Sequence, residues 1–170
     1  MHSLGSPPHG VPAQMVDKQS QVTLDLNAYR FRTEVRVRLS ETDAVGIVFF
    51  GSFSTYMDVG RMDYLENLGL PSFAGNVRDL VPGAVVRSSA SFHSPAQYND
   101  VLQIHVRVVE LGRSSYTFQF LITDRKRPRV VATGELKLVW LDVDFRPVRL
   151  PDTFRQAIRS FEGHGVVDLG

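Results

Sequence analysis

The stretch Glu41–Phe53, ETDAVGIVFFGSF, stands where one hydrophobic period gives way to another, and its reading decides the fold. Before it, Phe31, Val35, Val37 and Leu39 share one face, while Arg32, Glu34, Arg36 and Arg38 share the other, the period-2 pattern of a half-buried strand. After it, Phe53, Met57, Tyr64, Leu65 and Leu68 recur at helical spacing, with Tyr56 widening the stripe and Gly60 allowing close approach to whatever lies beneath. At ~1.5 Å per residue the helix is expected to run about 24 Å. It should stop at NLGLP, where Gly69 suits a left-handed cap and Pro71 prevents resumption. A carboxylate, Asp43, therefore falls on the turn between a strand and a long helix.

From Ala84 to Leu141 the chain reads as strands. Val86, Ala90 and Phe92 share a face; Leu102, Ile104, Val106 and Val108 alternate with Gln103, His105 and Arg107; Tyr116, Phe118, Phe120 and Ile122 follow; VVATGELKLVW closes the series. Turn signals at SPAQYND, LGRSS and DRKRPR separate them. Phe154, Ala157, Ile158 and Phe161 mark a short amphipathic helix after Pro151. A strand, a long helix, four antiparallel strands and a short helix bury one another as a two-layer α+β domain. Two architectures satisfy this order: a hot-dog fold, in which the antiparallel sheet wraps the long central helix, and a cystatin-like fold, in which the sheet grips it. Periodicity alone leaves both open.

The chain has 170 residues, enough for a single domain with a sizeable core. Residues 1–25, rich in Pro, Gly, Ser and Gln, read as a flexible tail without signal-peptide pattern, and residues 26–165 as one domain. With 19 basic and 18 acidic residues the net charge is +1, which argues against a nucleic-acid partner that works by counterion release. The absence of cysteine excludes disulfides and thiol nucleophiles, and the cytoplasm is the expected compartment, with no membrane partner. The five histidines show no metal-ligand spacing, so no metal and no cofactor is expected, and His93 and His105 receive no chemistry.

Asp43, Gly46, Ile47, Val48, Phe49, Phe50 and Phe53 form an Asp, a glycine three residues on, an apolar pair, two aromatics and a further aromatic. This pattern resembles the signature of the 4-hydroxybenzoyl-CoA thioesterase family of hot-dog enzymes. MDVGRMDYL is similar to that family's central helix, ASFHSPAQYNDVLQI to its second and third strands with their turn, and ELGRSSYTF to the entry of the next strand; the likeness covers about residues 31–142. It implies a hot-dog fold and an acyl-CoA thioesterase, acting on CoA or an acyl-carrier protein thioester. It also implies a homo-oligomer, a dimer or a dimer of dimers, with sites at the subunit seam.

The chemistry such a reaction needs can be stated from residue types alone. A thioester carbonyl under attack by oxygen develops charge on its own oxygen, and fixed N–H donors must meet it beside a base or nucleophile. A loop entering a helix supplies both, because the first amides of a helix lack internal partners. By the resemblance, the Phe50 backbone N–H is the oxyanion donor and Asp43 attacks the carbonyl or activates water, while Gly46 keeps the approach narrow. Capping of the turn is the alternative use of an Asp at this place.

Further positions belong to substrate binding in the same reading. Phe49 and Phe53 make the pocket apolar. Asp58 matches an acid that meets a distal hydroxyl in the aromatic-thioester branch, although an i,i+3 pair with Arg61 or ordinary solvation is the simpler account of it. Arg113 matches a position facing the nucleotide, and the run Arg125, Lys126, Arg127, Arg129 is a second phosphate candidate or simply a solvated turn. Small residues Ser88 to Ser91 suit a pantetheine passage or close packing. The rival readings are a non-catalytic acyl-CoA-binding hot-dog module and a cystatin-like interaction protein.

Overall fold

The computed structural model describes residues 21–70 and 83–170. The first strand, β1, covers Phe31–Arg36 and ends sooner than its alternation suggests, because Leu39–Glu41 turns into a 3-10 helix. Glu41 causes the stop by folding its carboxylate back to accept the Arg38 amide at 2.8 Å. The long helix α1, Ser52–Asn67, has the expected 16 residues. Gly69 closes it at φ +65° while the Leu70 amide donates back to the Leu65 carbonyl at 3.0 Å. Pro71 lies outside the described residues.

Four long strands follow: β2 Ala84–Phe92, β3 Val101–Leu111, β4 Ser115–Asp124 and β5 Val130–Val139. Helix α2, Asp152–Glu162, comes next, and a two-residue strand β6, Val167–Asp168, runs parallel to the end of β3. The sheet order is β1-β3-β4-β5-β2. Strand β2 therefore does not lie beside its sequence neighbour β3 but at the far edge, antiparallel to β5. The chain between β1 and β2 must cross the whole sheet, and α1 is the crossing, laid over the apolar face.

That face carries Ile104, Val106, Phe118, Phe120 and Leu136, all essentially buried. Gly60 is the closest point of approach: a Cβ there would lie 2.8 Å from the Ile104 Cγ2 and 3.1 Å from that of Val106. Gly134 of β5 makes room for the Met57 thioether in the same way. At the other end Tyr64 stacks edge-on with Phe31, Phe118 and Phe161, and its hydroxyl donates to the buried Glu162 of α2 at 2.6 Å. Glu162 Oε1 also accepts the Val108 amide at 3.0 Å, beside the β-bulge in β3. One carboxylate thus ties α1, α2 and the sheet together, and desolvation holds its pKa above the ordinary carboxylate range.

The expected domain limits shift at both ends. Residues 1–20 lie outside the described residues, but Val22, placed by the sequence in the tail, is fully buried, and Asp25 caps a 3-10 turn at Leu26–Ala28. At the C-terminus the structure continues past residue 165 through β6, where Asp168 is held by the buried guanidinium of Arg155. Short polar segments carry no strong period, so pattern reading undercounted them.

Candidate active site

The turn Asp43–Gly46 is built by its own aspartate. Asp43 Oδ1 accepts the Val45 amide at 2.9 Å and the Ile47 amide at 3.4 Å, and the Asp43 carbonyl accepts the Gly46 amide at 3.0 Å. Gly46 takes φ +83°, a left-handed conformation that a side chain would strain, and this is the physical reason for a glycine there. The Asp43 amide then donates to the Ile47 carbonyl at 2.8 Å and closes the loop. The capping use of Asp43 is therefore real, but it occupies one oxygen; Oδ2 has no hydrogen-bond partner among the described residues.

The loop is pinned on three sides. Ile47 bridges Gln97, and the Val48 amide donates to the Ala96 carbonyl at 2.8 Å. Glu41 anchors the approach to α1: its carbonyl accepts the Phe49 amide at 2.9 Å and the Ser52 hydroxyl at 3.1 Å, and its carboxylate accepts the Tyr56 hydroxyl at 2.8 Å. Burial and this contact hold the Tyr56 phenol neutral, pushing its pKa well up. Between these anchors the chain leaves two amides over. The Phe50 and Gly51 N–H groups have no acceptor among the described residues, while the flanking amides of Phe49 and Ser52 are both bonded, and of the two residues only Phe50 lines the cavity described next.

Asp43 and Phe50 line one open cavity of about 580 Å³, together with Phe53 and, on the opposite wall, Phe92–Ala96. The structure thus brings together three of the sequence-derived site residues. Gly46 shapes the turn without lining the cavity, and Phe49 packs its ring on Phe50, centroids 4.4 Å apart, over Gly51. Asp58 and Arg113 lie outside the lining.

The far wall was missed by sequence reading. Phe92, whose ring lies 5.0 Å from that of Phe53, and the His93–Ala96 segment are 39 or more residues from Phe53, and the β2–β5 pairing, the Ile47–Gln97 bridge and the Val48–Ala96 hydrogen bond bring them in. His93 uses its ring on Thr133 of β5, at 3.0 Å, on the sheet face away from α1.

The phosphate candidates separate clearly. Arg127 and Arg129 both bond Asp124, and Arg127 also bonds Asp100 at 2.7 Å, while Arg125 pairs with Glu34 at 3.0 Å. Those guanidiniums neutralise the β4–β5 turn itself. Arg113 is exposed and has no ion pair among the described residues, which leaves its charge available. No cluster of three His, Asp or Glu side chains of metal-binding type occurs among the described residues.

Comparison with known proteins identifies the family and the fold. Residues 37–158 match the family model of the thioesterase-like superfamily. The chain is 28% identical over 129 residues to a 4-hydroxybenzoyl-CoA thioesterase of a Pseudomonas species, covering 75% of this chain and 86% of that protein. It is 24% identical over 127 residues to the acyl-CoA thioester hydrolase YbgC of Escherichia coli, covering 74% and 93%. Among solved structures, a Thermus thermophilus thioesterase crystallised with coenzyme A and zinc superposes with a TM-score of 0.69 at 30% identity, over 80% of this chain and 96% of that one. With its crossing helix, far-edge β2 and loop-borne aspartate, the chain belongs to the thioesterase-like superfamily and has the hot-dog fold.

Proposed function

We propose that this protein is an acyl-CoA thioesterase that hydrolyses an acyl thioester to a free acid and a thiol. The observation that carries the reading is the pairing, in one cavity, of an Asp43 carboxylate oxygen and a Phe50 amide that have no hydrogen-bond partner among the described residues. Names borne by the relatives support it. The thioester carbonyl lies with its oxygen toward the Phe50 N–H, which costs no reorganisation as charge develops there. Asp43 Oδ2 either attacks the carbonyl carbon, expelling the thiolate and giving an anhydride that water then hydrolyses to the free acid and the Asp43 carboxylate, or takes a proton from a water that attacks the carbonyl, the C–S bond breaking to release the thiolate. Phe53 and Phe92 give the acyl group an apolar wall, and Arg113 faces the phosphates of CoA.

The reading includes a homo-oligomer. Strand β2 is a sheet edge with Val85, Val86 and Phe92 47%, 59% and 50% exposed, a liability that pairing with a second copy removes. A dimer, or a dimer of dimers, in the cytoplasm is the assembly proposed; no described helix is long and apolar enough to cross a membrane.

The deciding experiment is thiol release across short, medium, long-chain and aromatic acyl-CoAs, with wild type and Asp43→Asn. The asparagine oxygen still accepts the Val45 and Ile47 amides, so the fold survives; activity should fall by about 10³-fold or more. A fully active variant, or a wild type that binds acyl-CoA and releases no thiol, would end the proposal.

A further inference from the structure

A second cavity, of about 270 Å³, opens at the start of β1 and shares no lining residue with the Asp43 cavity. The chain builds it by arching over the sheet edge before β1 begins. Val22 is buried, the Tyr29 hydroxyl donates to the Thr23 carbonyl at 2.8 Å, and the 3-10 turn between them holds Leu26 out at 50% exposure. Leu26, Tyr29 and Phe31 make the apolar side of the cavity, and Arg30, Arg32 and His105 make the polar one.

The polar side carries positive charge that no described acid offsets. Arg30 donates to the Phe161 carbonyl at 2.7 Å, and Arg107, 5.4 Å over the Tyr29 ring, donates to Gln119 at 2.8 Å; both acceptors are neutral. Arg32 has no ion pair among the described residues, and Glu34, two residues along the same strand, is already held by Arg125 at 3.0 Å and Gln103 at 3.1 Å. Guanidiniums gathered in this way repel one another, and an anion among them relieves the repulsion. His105, cross-strand from Arg32, adds a donor. It is only 5% exposed, its Nε2 lies 3.1 Å from the Thr123 hydroxyl, and its Nδ1 has no partner among the described residues. Burial, and then the Arg32 cation, push its pKa down to about 4, so the ring is neutral at pH 7. With the Thr123 hydroxyl donating to Nε2, the ring proton falls to Nδ1, a buried donor left unmet.

We propose that this cavity binds a small carboxylate with an apolar body: Arg30, Arg32 and the His105 ring take the carboxylate, and Leu26, Tyr29 and Phe31 cover the body. A bare inorganic anion would leave the apolar side in water, and a neutral apolar molecule would leave the guanidiniums and Nδ1 as they are. A carboxylate on an apolar body answers both sides at once, and a guanidinium meets it through two parallel hydrogen bonds. The cavity is smaller than the roughly 300–1,000 Å³ of sites for drug-sized ligands, which restricts the body to about one aromatic ring or a short aliphatic chain. The inference goes beyond the thioesterase reading and does not rest on it, although the acid released by that reaction belongs to the same chemical class.

The test is calorimetric titration of the full chain at pH 7 with benzoate and octanoate, beside benzamide, acetate and inorganic phosphate. Wild type, Arg32→Gln and Leu26→Ser are compared, each checked by a thermal melt. Wild type should bind benzoate and octanoate about tenfold or more tightly than benzamide, acetate or phosphate. Arg32→Gln should weaken both carboxylates by about tenfold, and Leu26→Ser should weaken octanoate several-fold. Thiol release from acyl-CoA should be the same in both variants as in wild type, since neither residue lines the Asp43 cavity. Benzamide bound as tightly as benzoate, or phosphate bound as tightly as either carboxylate, would overturn the inference. So would a Kd that Arg32→Gln leaves unmoved, which would put the acid in the Asp43 cavity instead. If Arg32→Gln fails to fold, the other variant decides: octanoate binding unchanged in Leu26→Ser overturns it. Sedimentation of the same samples adds one more outcome, since an assembly of wild type that Arg32→Gln splits would make the cavity a contact between copies and overturn the inference too. All of these results leave the thioesterase reading standing, because that reading is decided by thiol release and not by acid binding.

Discussion

The Tyr56 hydroxyl donates to Glu41 Oε2 at 2.8 Å, joining the second turn of α1 to the residue two before Asp43. Glu41 in turn carries, on its carbonyl, both the Phe49 amide and the Ser52 hydroxyl. The contact therefore sets the relation between the carboxylate loop and the free amide at Phe50. Tyr56→Phe keeps the ring in its buried place and removes only the donor. It should cost about 1 kcal/mol, seen as a drop of ~2–4 °C in Tm by calorimetry, and lower kcat several-fold with little change in KM. Unchanged kcat would show that the loop is held without Tyr56.

Gly60 tests the crossing of α1 over the sheet. Alanine is the better helix former, by up to ~1 kcal/mol, yet its Cβ would stand 2.8 Å from Ile104 Cγ2. Packing should win, and Gly60→Ala should lower stability by ~1–3 kcal/mol in urea unfolding. A variant more stable than wild type would place α1 farther from β3 than described.

Glu162 should give stability a dependence on pH. Its folded-state pKa is raised, chiefly by desolvation, so the protonated form is the one folding favours. That contribution is present below the ordinary glutamate range and is lost as pH rises through the folded value. Glu162→Gln, which keeps an acceptor for Tyr64 and Val108, should therefore gain on wild type in Tm as pH is raised from 4 to 8. A gap that stays constant with pH would show that Glu162 does not titrate differently on folding.

Arg113 should act on binding alone. It is exposed and without an ion pair among the described residues, whereas Arg125, Arg127 and Arg129 are engaged by Glu34, Asp124 and Asp100. Arg113→Gln should raise KM for acyl-CoA several-fold and spare a truncated thioester lacking the nucleotide. An equal effect on both substrates would remove Arg113 from phosphate recognition.

The elements themselves were legible in the sequence because each is fixed by a local period. The apolar stripe of α1, the alternation of β3, β4 and β5, and the Gly69 stop all appear in the structure where the pattern put them. Asp43 was legible for a related reason: Asp and Gly three residues apart define a turn by hydrogen bonds within that turn. The ends were read less well, since Val22 and the β6 pair are held by contacts with distant parts of the chain.

What the chain alone determined is thus local: where it bends, which faces are apolar, and which carboxylate sits at the strand-to-helix turn. What only the tertiary structure decided is which surfaces meet. Strand order is set by cross-strand pairing between residues far apart, so β2 could be placed beside β5, and Phe92–Ala96 opposite Asp43, only once the sheet was formed. The burial of Arg61 belongs to the same category, because no local period tells a solvated arginine from one whose charge is sealed against Tyr116.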